Sequence, residues 1–301
     1  MQEESAIIAM SNPTYYSQPV MEVIQQRFSC RTYQREVLSA DLQAKLGDYA
    51  ASVNTGPLGN QARFELVAAS EQDPKKLRLL GTYGFIQGAT AYLVGAMDRD
   101  RFNPEDYGYL LEKIILFATD LGLGTCWLGG TFTKSSFARK IKATKSEIVP
   151  AVSPVGFIAV QPRRIETWLK SRRGTKRRLS WSKLFFDQEF GNPLPGEDLD
   201  EFGKVLEMVR LGPSASNRQP WRILRRGNQW HFYLQRTPGY RNRPLTRWTT
   251  VADLQRIDMG IALCHFELTA CELGLSGQWM VSDPRVNLPD GHTEYTASWM
   301  A

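Results

Sequence analysis

The chain has 301 residues, of which 42% are hydrophobic and 23% are charged, and this is an ordinary composition for a globular protein. The net charge is +6, and the four cysteines and three histidines form neither a CxxC pair nor zinc-finger spacing, which argues against a disulfide or metal framework. Because the sequence starts without a signal-peptide pattern and has no apolar run near the roughly 20 residues that cross a bilayer, we expect a cytoplasmic protein with no membrane partner.

The first predicted element is a short helix, around residues 19–27, that leads into Arg27-Phe28-Ser29-Cys30-Arg31. Alternate side chains of an extended turn point the same way, so Arg27, Ser29 and Arg31 can meet one ligand. Arginine forks match phosphate oxygens, and these three residues are therefore a candidate phosphate clamp. The motif is short, and exposed arginines often contact only solvent.

Further elements follow in the first part of the chain. A helix is predicted to begin at Asp41, a residue type that favours N-caps, and a strand to cover residues 63–68. A long apolar helix covers roughly residues 105–121 and ends at Gly122, as many helices end at glycine. A strand is predicted at residues 155–160.

A glycine-rich segment, Gly122–Gly130, follows the long helix and contains Leu128 and Gly129. Its four glycines leave backbone N–H groups open to a flat ligand and allow the ligand to approach closely. The segment follows a helix and does not link a strand to a helix, so it is not a dinucleotide-binding fingerprint.

A basic stretch, residues 163–183, carries a local excess of positive charge, and the rest of the chain is slightly acidic. A solvated linker is the simplest interpretation. Nucleic-acid binding is an alternative, although the stretch lacks the interleaved aromatic residues of a stacking platform. In a third interpretation, Arg163 and Arg164 at its start serve a small phosphate ligand.

Beyond the basic stretch, a helix is predicted to begin at Asp198, and a long apolar helix to cover residues 253–273 and end at Gly274. Three strands are predicted, from residue 221, at 229–234 and at 293–299.

The second long helix also carries Cys264, His265 and Cys271. A metal site could use these residue types, but buried thiols on a core helix explain them better.

The loop Gly212–Trp221, between a helix and a strand, supplies Ser214, Ser216, Asn217 and Gln219. Their hydroxyl and amide groups can donate to and accept from the edge of a heteroaromatic ring or a ribityl chain. Serine, asparagine and proline are also common in turns, so a loop that only ends a helix is the alternative.

The two parts of the chain repeat one another. Ser39-Ala-Asp-Leu42 and Gly196-Glu-Asp-Leu199 open similar helical patterns 157 residues apart. Leu116–Trp127 matches Leu268–Trp279, 152 residues later, with identities at Leu, Ala, Leu, Gly, Leu and Trp. Two collinear anchors at nearly the same offset indicate a tandem duplication, and helices around mainly antiparallel strands predict an α+β fold.

Together, the clamp, the Asn217-Arg-Gln-Pro-Trp221 loop and the Gly-Leu-Gly-Thr-Cys-Trp-Leu-Gly segment resemble the FMN-dependent nitroreductase superfamily. The resemblance covers roughly residues 20–301, and the tandem arrangement is similar to the TM nitroreductase group. It implies a pseudo-dimer of two nitroreductase-like half-domains, each a central mainly antiparallel sheet flanked by helices. The implied parts are residues 19–165 (first half), 166–182 (basic linker) and 183–301 (second half), in a chain expected to be monomeric.

The resemblance also implies FMN as the cofactor, in a site shared by the two halves as it is shared by two subunits in ordinary members. FMN would carry the chemistry, so no catalytic side chain is expected. NAD(P)H would reduce the flavin, and a nitro or quinone-like acceptor would reoxidise it in a ping-pong cycle. The implied cofactor-binding residues are Arg27, Ser29, Arg31, Leu128, Gly129, Arg163, Arg164, Ser214, Ser216, Asn217 and Gln219.

A second, reciprocal site is not expected. At an offset of 157 residues, the clamp positions hold Leu184, Phe186 and Gln188, and the first-half loop Gly56–Gln61 has no hydroxyl side chain. We therefore expect one FMN per chain. Because function does not follow from fold alone, a non-catalytic flavin carrier or sensor is an alternative, and nucleic-acid binding is a lesser one.

Overall fold

Each of two five-stranded sheets packs against one of two long helices, and these two helices pack against each other. The computed structural model describes residues 15–70, 77, 80, 82–99, 103–130, 132–159, 178–196, 199, 201–239 and 252–301. The helices are α1 (Val20–Gln26), α2 (Ala40–Ser52), α3 (Pro104–Asp120), α4 (Lys134–Lys140), α5 (Glu201–Leu211) and α6 (Leu254–Glu272). The strands are β1 (Arg63–Ala68), β2 (Ala91–Asp98), β3 (Gly124–Thr125), β4 (Glu147–Ile148), β5 (Val152–Gly156), β6 (Phe185–Asp187), β7 (Trp221–Arg226), β8 (Gln229–Gln235), β9 (Gln278–Met280) and β10 (Thr293–Met300).

The two sheets repeat one topology. The first has the order β1-β2-β5-β3 with β4 on β2, and the second has the order β7-β8-β10-β9 with β6 added beside β7. Thus β1, β2, β5 and β3 correspond to β7, β8, β10 and β9, and α2 precedes β1 as α5 precedes β7. Of the strand pairs, β6–β7 is parallel and the others are antiparallel. The predicted α+β class and the tandem half-domains are confirmed.

The two long helices begin and end with the residue types that helix physics favours. The Asn103 side chain accepts from the Asp106 amide at 2.9 Å and caps α3, and Asp253 caps α6. Gly122 and Gly274 follow the C-termini with φ of +76° and +71°, so the predicted helix ends are confirmed. Among the residues that the structure describes, no helix has both the length and the hydrophobicity needed to cross a bilayer.

Two glycines let the backbones of α3 and α6 touch. A Cβ added to Gly260 would lie 1.9 Å from the Glu105 carbonyl oxygen, and a Cβ added to Gly108 would lie 2.2 Å from that of Ile257. These glycines are 152 residues apart, the same offset as the second sequence anchor. One hydrophobic core runs through this crossing and includes buried residues of both halves.

The expected N-cap of α2, Asp41, is wrong. The N-cap of α2 is Ser39, whose hydroxyl accepts from the Leu42 amide at 3.3 Å, so Asp41 lies within the first turn. Asp198 lies outside the described residues.

The strand expected at 155–160 covers Val152–Gly156 instead. After Gly156 the chain leaves the sheet, because Ile158 forms a bridge with Tyr33 beside the clamp.

The structure also corrects the comparison of the clamp with residues 184–188. Ser29 bridges to β3, whereas Phe186 belongs to β6 and pairs in parallel with β7, the counterpart of β1. Leu184 is fully buried. Residues 27–31 and 184–188 therefore have different places in the two halves, and β6 is not a degraded clamp.

Candidate functional site

The predicted clamp lies where α1 ends. Arg27 has extended backbone (φ −61°, ψ 128°), which directs the following residues along β3. Ser29 forms a parallel bridge with Thr125, and the Cys30 amide donates to the Thr125 carbonyl at 2.8 Å. Ser29 and Arg31 are exposed, so they are open to a ligand from the solvent side.

Arg27 differs from its neighbours because its side chain is only 6% exposed. Its Nε and Nη1 atoms are buried and have no hydrogen-bond partner among the described residues. The Glu112 carboxylate lies 3.8 Å from Nε, beyond hydrogen-bond distance. Buried donors without partners are costly, so an anion that accepts from them would be bound strongly. A phosphate group fits this requirement.

A second arginine, Arg178, is half-buried and near enough to Arg27 for their charges to interact. Its guanidinium donates to the Leu211 carbonyl at 2.6 Å, to the Gly212 carbonyl, and to Asn217 Oδ1 at 3.3 Å. Burial lowers the pKa of Arg178 to about 10, and the positive charge of Arg27 acts in the same direction. The two guanidiniums lie between the halves and repel one another. They therefore favour an anion with more than one negative charge.

Arg178 is not among the predicted site residues, because it lies in the basic stretch interpreted as a linker. The available signal was the change from polar to apolar residues at Leu179 and Trp181, since an arginine at such a border can be buried by folding. Arg163 and Arg164 lie outside the described residues, as does 166–177 of the expected linker.

Two residues of the 212–221 loop hold its shape. The Ser214 hydroxyl accepts from the Gln219 amide at 2.9 Å. Gln219 is buried, its Oε1 accepts from the Leu179 amide at 2.8 Å, and its Nε2 donates to the Asn217 carbonyl at 3.2 Å. These two predicted binding residues therefore connect the loop to itself and to the end of the basic stretch.

Ser216 and Asn217 form the exposed part of the loop. Both have left-handed backbone, with φ of +53° and +55°, and Gln219 follows at +49°. Such conformations cost free energy in residues other than glycine, and they persist where surrounding contacts determine them. Here the side chains of Arg178 and Gln219 supply those contacts.

The glycine-rich segment brings the first half against the second. Leu128 is buried, and its N–H and carbonyl both pair with Val152, at 2.9 and 3.0 Å. This corrects the expectation that the Leu128 backbone is open to a ligand. A Cβ added to Gly129 would lie 2.3 Å from Leu254 Cδ2, so Gly129 contacts the start of α6.

Cys126 is a further residue beside the clamp. Its thiol is buried, and burial raises its pKa, while the charges of Arg31 and Arg27 and a hydrogen bond with Ser29 oppose the rise. The thiol is thus neutral and contributes a polarisable surface under the clamp.

A buried network connects the clamp to the second half. Glu112 is fully buried; its Oε2 accepts from Trp127 Nε1 at 2.6 Å, and its Oε1 lies 3.0 Å from His265 Nε2. The other ring nitrogen of His265 lies 2.9 Å from the Met208 carbonyl oxygen. Within the described ranges, no three His, Cys, Asp or Glu side chains converge as metal ligands.

The opposite end of the α3–α6 pair has a cavity of about 510 Å³. Leu58 and Val281 line it. In the repeat, Leu58 corresponds to Ala215 and Val281 corresponds to Gly129, so this cavity is the reciprocal of the clamp site. Its two arginines are already paired, since Arg256 donates twice to Glu105 at 2.7 Å and Arg236 donates twice to Asp253. This end therefore offers no unpaired guanidinium comparable to Arg27 in the part of the chain that is described.

The family model described as "Putative TM nitroreductase" matches residues 19–270. None of the curated proteins compared with the chain is detectably similar to it.

Several solved structures are also similar to the chain. A "putative nitroreductase" from Thermotoga maritima is 20% identical, with a TM-score of 0.57, over 94% of each chain. A nitroreductase with bound FMN from Desulfitobacterium hafniense is 19% identical, with a TM-score of 0.38, over 48% of this chain and 91% of that one. A nitroreductase family protein from Clostridium difficile is 18% identical, with a TM-score of 0.37, over 49% and 91%. The similarity to the Thermotoga protein extends over both halves and establishes a shared fold.

Proposed function

Because this chain belongs to the TM nitroreductase family, we propose that it is an FMN-dependent oxidoreductase that holds one FMN between its halves. Its electron donor is NAD(P)H, and its acceptor is a small organic molecule of nitro or quinone type. The observation that carries the proposal is the Arg27 guanidinium. It is buried, two of its nitrogens have no hydrogen-bond partner among the described residues, and the positive charge of Arg178 lies nearby.

The phosphate is the part of FMN that these residues suit best. The buried Arg27 and the half-buried Arg178 supply charge, and the exposed Arg31 and Ser29 supply donors from the solvent side. Arginine binds phosphate through paired, charge-assisted hydrogen bonds, which set orientation as well as affinity.

The loop and the glycine segment suit the remainder of the cofactor. Ser216 and Asn217 offer polar groups to the ribityl chain or the ring edge. Gly129 lets the glycine segment pack against Leu254 at the start of α6, which brings the two halves together beside this loop. When bound, FMN supplies hydride transfer at its ring, while the protein supplies position and electrostatics.

The fused arrangement supports a pseudo-dimer. The clamp comes from the first half and the loop from the second, and one core passes between them. We propose that residues 19–165 and 183–301 are the two halves, that residues 166–182 link them, and that the chain acts as a cytoplasmic monomer.

The absorbance spectrum of the purified protein, with flavin counted per chain, tests the proposal directly. We expect a flavin spectrum, as purified or after reconstitution with FMN, at one flavin per chain, and bleaching by NADH or NADPH. Flavin that ignores both nicotinamides would favour a carrier or sensor. A protein that takes up no FMN would contradict the proposal.

Arginine variants test the site itself. Arg27→Ala and Arg178→Ala should each weaken FMN binding by about 1.5–3 kcal/mol, because each removes a charged phosphate contact. Arg226→Ala is the matched control, since this exposed arginine lies at the end of β7. Titration of apoprotein by flavin fluorescence gives the affinities, and equal FMN affinity in all three variants would refute the assignment.

A further inference from the structure

Glu112 is a buried carboxylate that the proposed phosphate site does not use directly. It accepts from Trp127 Nε1 at 2.6 Å and lies 3.0 Å from His265 Nε2. Arg27 Nε is 3.8 Å away. The side chains of Glu112, His265 and Arg27 are almost fully buried, so their charges interact in a medium of low polarity.

The hydrogen bonds of His265 fix how many protons the network holds. Its Nδ1 faces the Met208 carbonyl at 2.9 Å, and a carbonyl only accepts, so Nδ1 carries a proton. Its Nε2 faces Glu112 Oε1, and one of these two atoms must donate. If Nε2 donates, a positive imidazolium faces a carboxylate; if the carboxyl donates, both groups are neutral. In either case, the Glu112–His265 pair has no net charge.

This neutrality matters for Arg27. A bare carboxylate 3.8 Å from the guanidinium would cancel most of its charge and draw Nε into an ion pair. Instead, Nε stays 3.8 Å from the carboxylate, beyond hydrogen-bond distance, and neither Nε nor Nη1 has a hydrogen-bond partner among the described residues. We propose that His265, which the second half contributes, is a positioning residue that neutralises Glu112 and thereby leaves the charge of Arg27 available for the phosphate. This role rests on the proposed FMN site.

The second half contains a tryptophan–carboxylate contact that lacks the histidine and the arginine. Trp279, the counterpart of Trp127, donates to the half-buried Glu267 at 2.6 Å. There a tyrosine, Tyr109, is the further partner of the carboxylate. Each half thus has a tryptophan–carboxylate pair, although Glu112 and Glu267 are not equivalent positions of the repeat, and the histidine and arginine are present at the clamp end.

The substitution His265→Gln separates charge from hydrogen bonding. The glutamine amide can donate to Glu112 but carries no charge, so the imidazolium of the ion-paired form is lost and Glu112 is left as a bare carboxylate beside Arg27. If Glu112 instead held its own proton, the glutamine carbonyl would accept that proton and the FMN affinity would not change. We expect the Kd for FMN to rise by about tenfold or more, and the Kd for riboflavin, which lacks the phosphate, to stay the same. The double variant E112Q/H265Q removes the carboxylate charge and should bring the FMN Kd back to within about threefold of the parent chain.

His231→Gln is the matched control, because His231 is also buried in the second half but bonds to Ser298, away from the clamp. It should leave both Kd values unchanged even if it lowers the melting temperature. Equal losses of FMN and riboflavin affinity in His265→Gln would show a merely structural role and overturn the proposal. So would an unchanged FMN Kd in His265→Gln, or a double variant no better than the single one. If the parent chain itself binds neither flavin, the proposed function fails first.

Discussion

Asp106 and Asp258 stand 152 residues apart, near the starts of the two central helices, and each holds the loop of its own half. Asp106 Oδ1 accepts from the Leu58 amide at 2.9 Å, and Asp258 Oδ1 accepts from the Ala215 amide at the same distance. The loop residues are themselves 157 residues apart, the offset of the first sequence anchor. Both halves therefore use one device to fix a loop at the end of the helix pair.

The two ends differ in what the loops face. At one end, Arg178 donates to Asn217 of the second-half loop. At the other, paired arginines and the side chain of Val281 line the cavity. The scaffold is thus present twice and the unpaired charges once. After a duplication, packing constrains both copies, whereas ligand-binding groups persist only where a ligand is bound. The following variants test how far the scaffold is symmetric.

The largest effect is expected at the helix crossing. Gly260→Ala would place a methyl group against the Glu105 carbonyl, which is backbone and cannot move aside easily. We expect a loss of about 2–4 kcal/mol in the free energy of unfolding, and a similar loss for Gly108→Ala. Gly47→Ala in α2 is the control, because its Cβ would meet nothing within 4 Å, and helix propensity predicts a gain of about 0.5–1 kcal/mol. Urea denaturation measures all three; equal stability of Gly260→Ala and Gly47→Ala would disprove the close crossing.

An intermediate effect should distinguish the two aspartates. Asp106 accepts from the Leu58 amide and from both nitrogens of Asn60, using both oxygens, so Asp106→Asn would turn one acceptor into a donor facing a donor. We expect a loss of about 1–3 kcal/mol. Asp258 accepts from a single amide, that of Ala215, which asparagine can still satisfy. Asp258→Asn should therefore change stability by under about 1 kcal/mol near pH 4.

The pH dependence sharpens this test. Burial raises the pKa of Asp258 well above its ordinary value, partly offset by the Ala215 hydrogen bond. The folded state then holds the proton more tightly than the unfolded state, so this group's contribution to stability is fully present below the unfolded pKa and is lost as pH rises towards the folded pKa. Asp258→Asn lacks this loss, and its stability relative to the parent chain should increase with pH above about 4. A constant difference from pH 4 to 8 would contradict the inference.

The sequence predicted the parts of the fold that local patterns determine. Gly122 and Gly274 marked the helix ends correctly, since a left-handed residue after a helix favours glycine. It did not predict that β6 pairs with β7, because the choice of a strand partner depends on contacts distant in sequence. For the same reason the sequence proposed Arg27 as a clamp residue but did not predict its burial, which requires α1 to pack on helices of both halves.

The smallest effect should come from exchanging a pair of corresponding loop residues. Ser216 has φ of +53°, and Gly59, 157 residues earlier, has φ of +88°, so both loops use left-handed backbone at the same place. Ser216→Gly removes strain but adds freedom to the unfolded chain, and we expect a net change within about 0.5 kcal/mol. Gly59→Ser adds strain in open space and should cost about 1 kcal/mol. Thermal denaturation of the two variants and of the double exchange measures this. If the serine hydroxyl contacts the cofactor, only Ser216→Gly should also weaken FMN binding; equal FMN affinity in both variants would mean that the left-handed turn, and not the hydroxyl, is what the second-half loop provides.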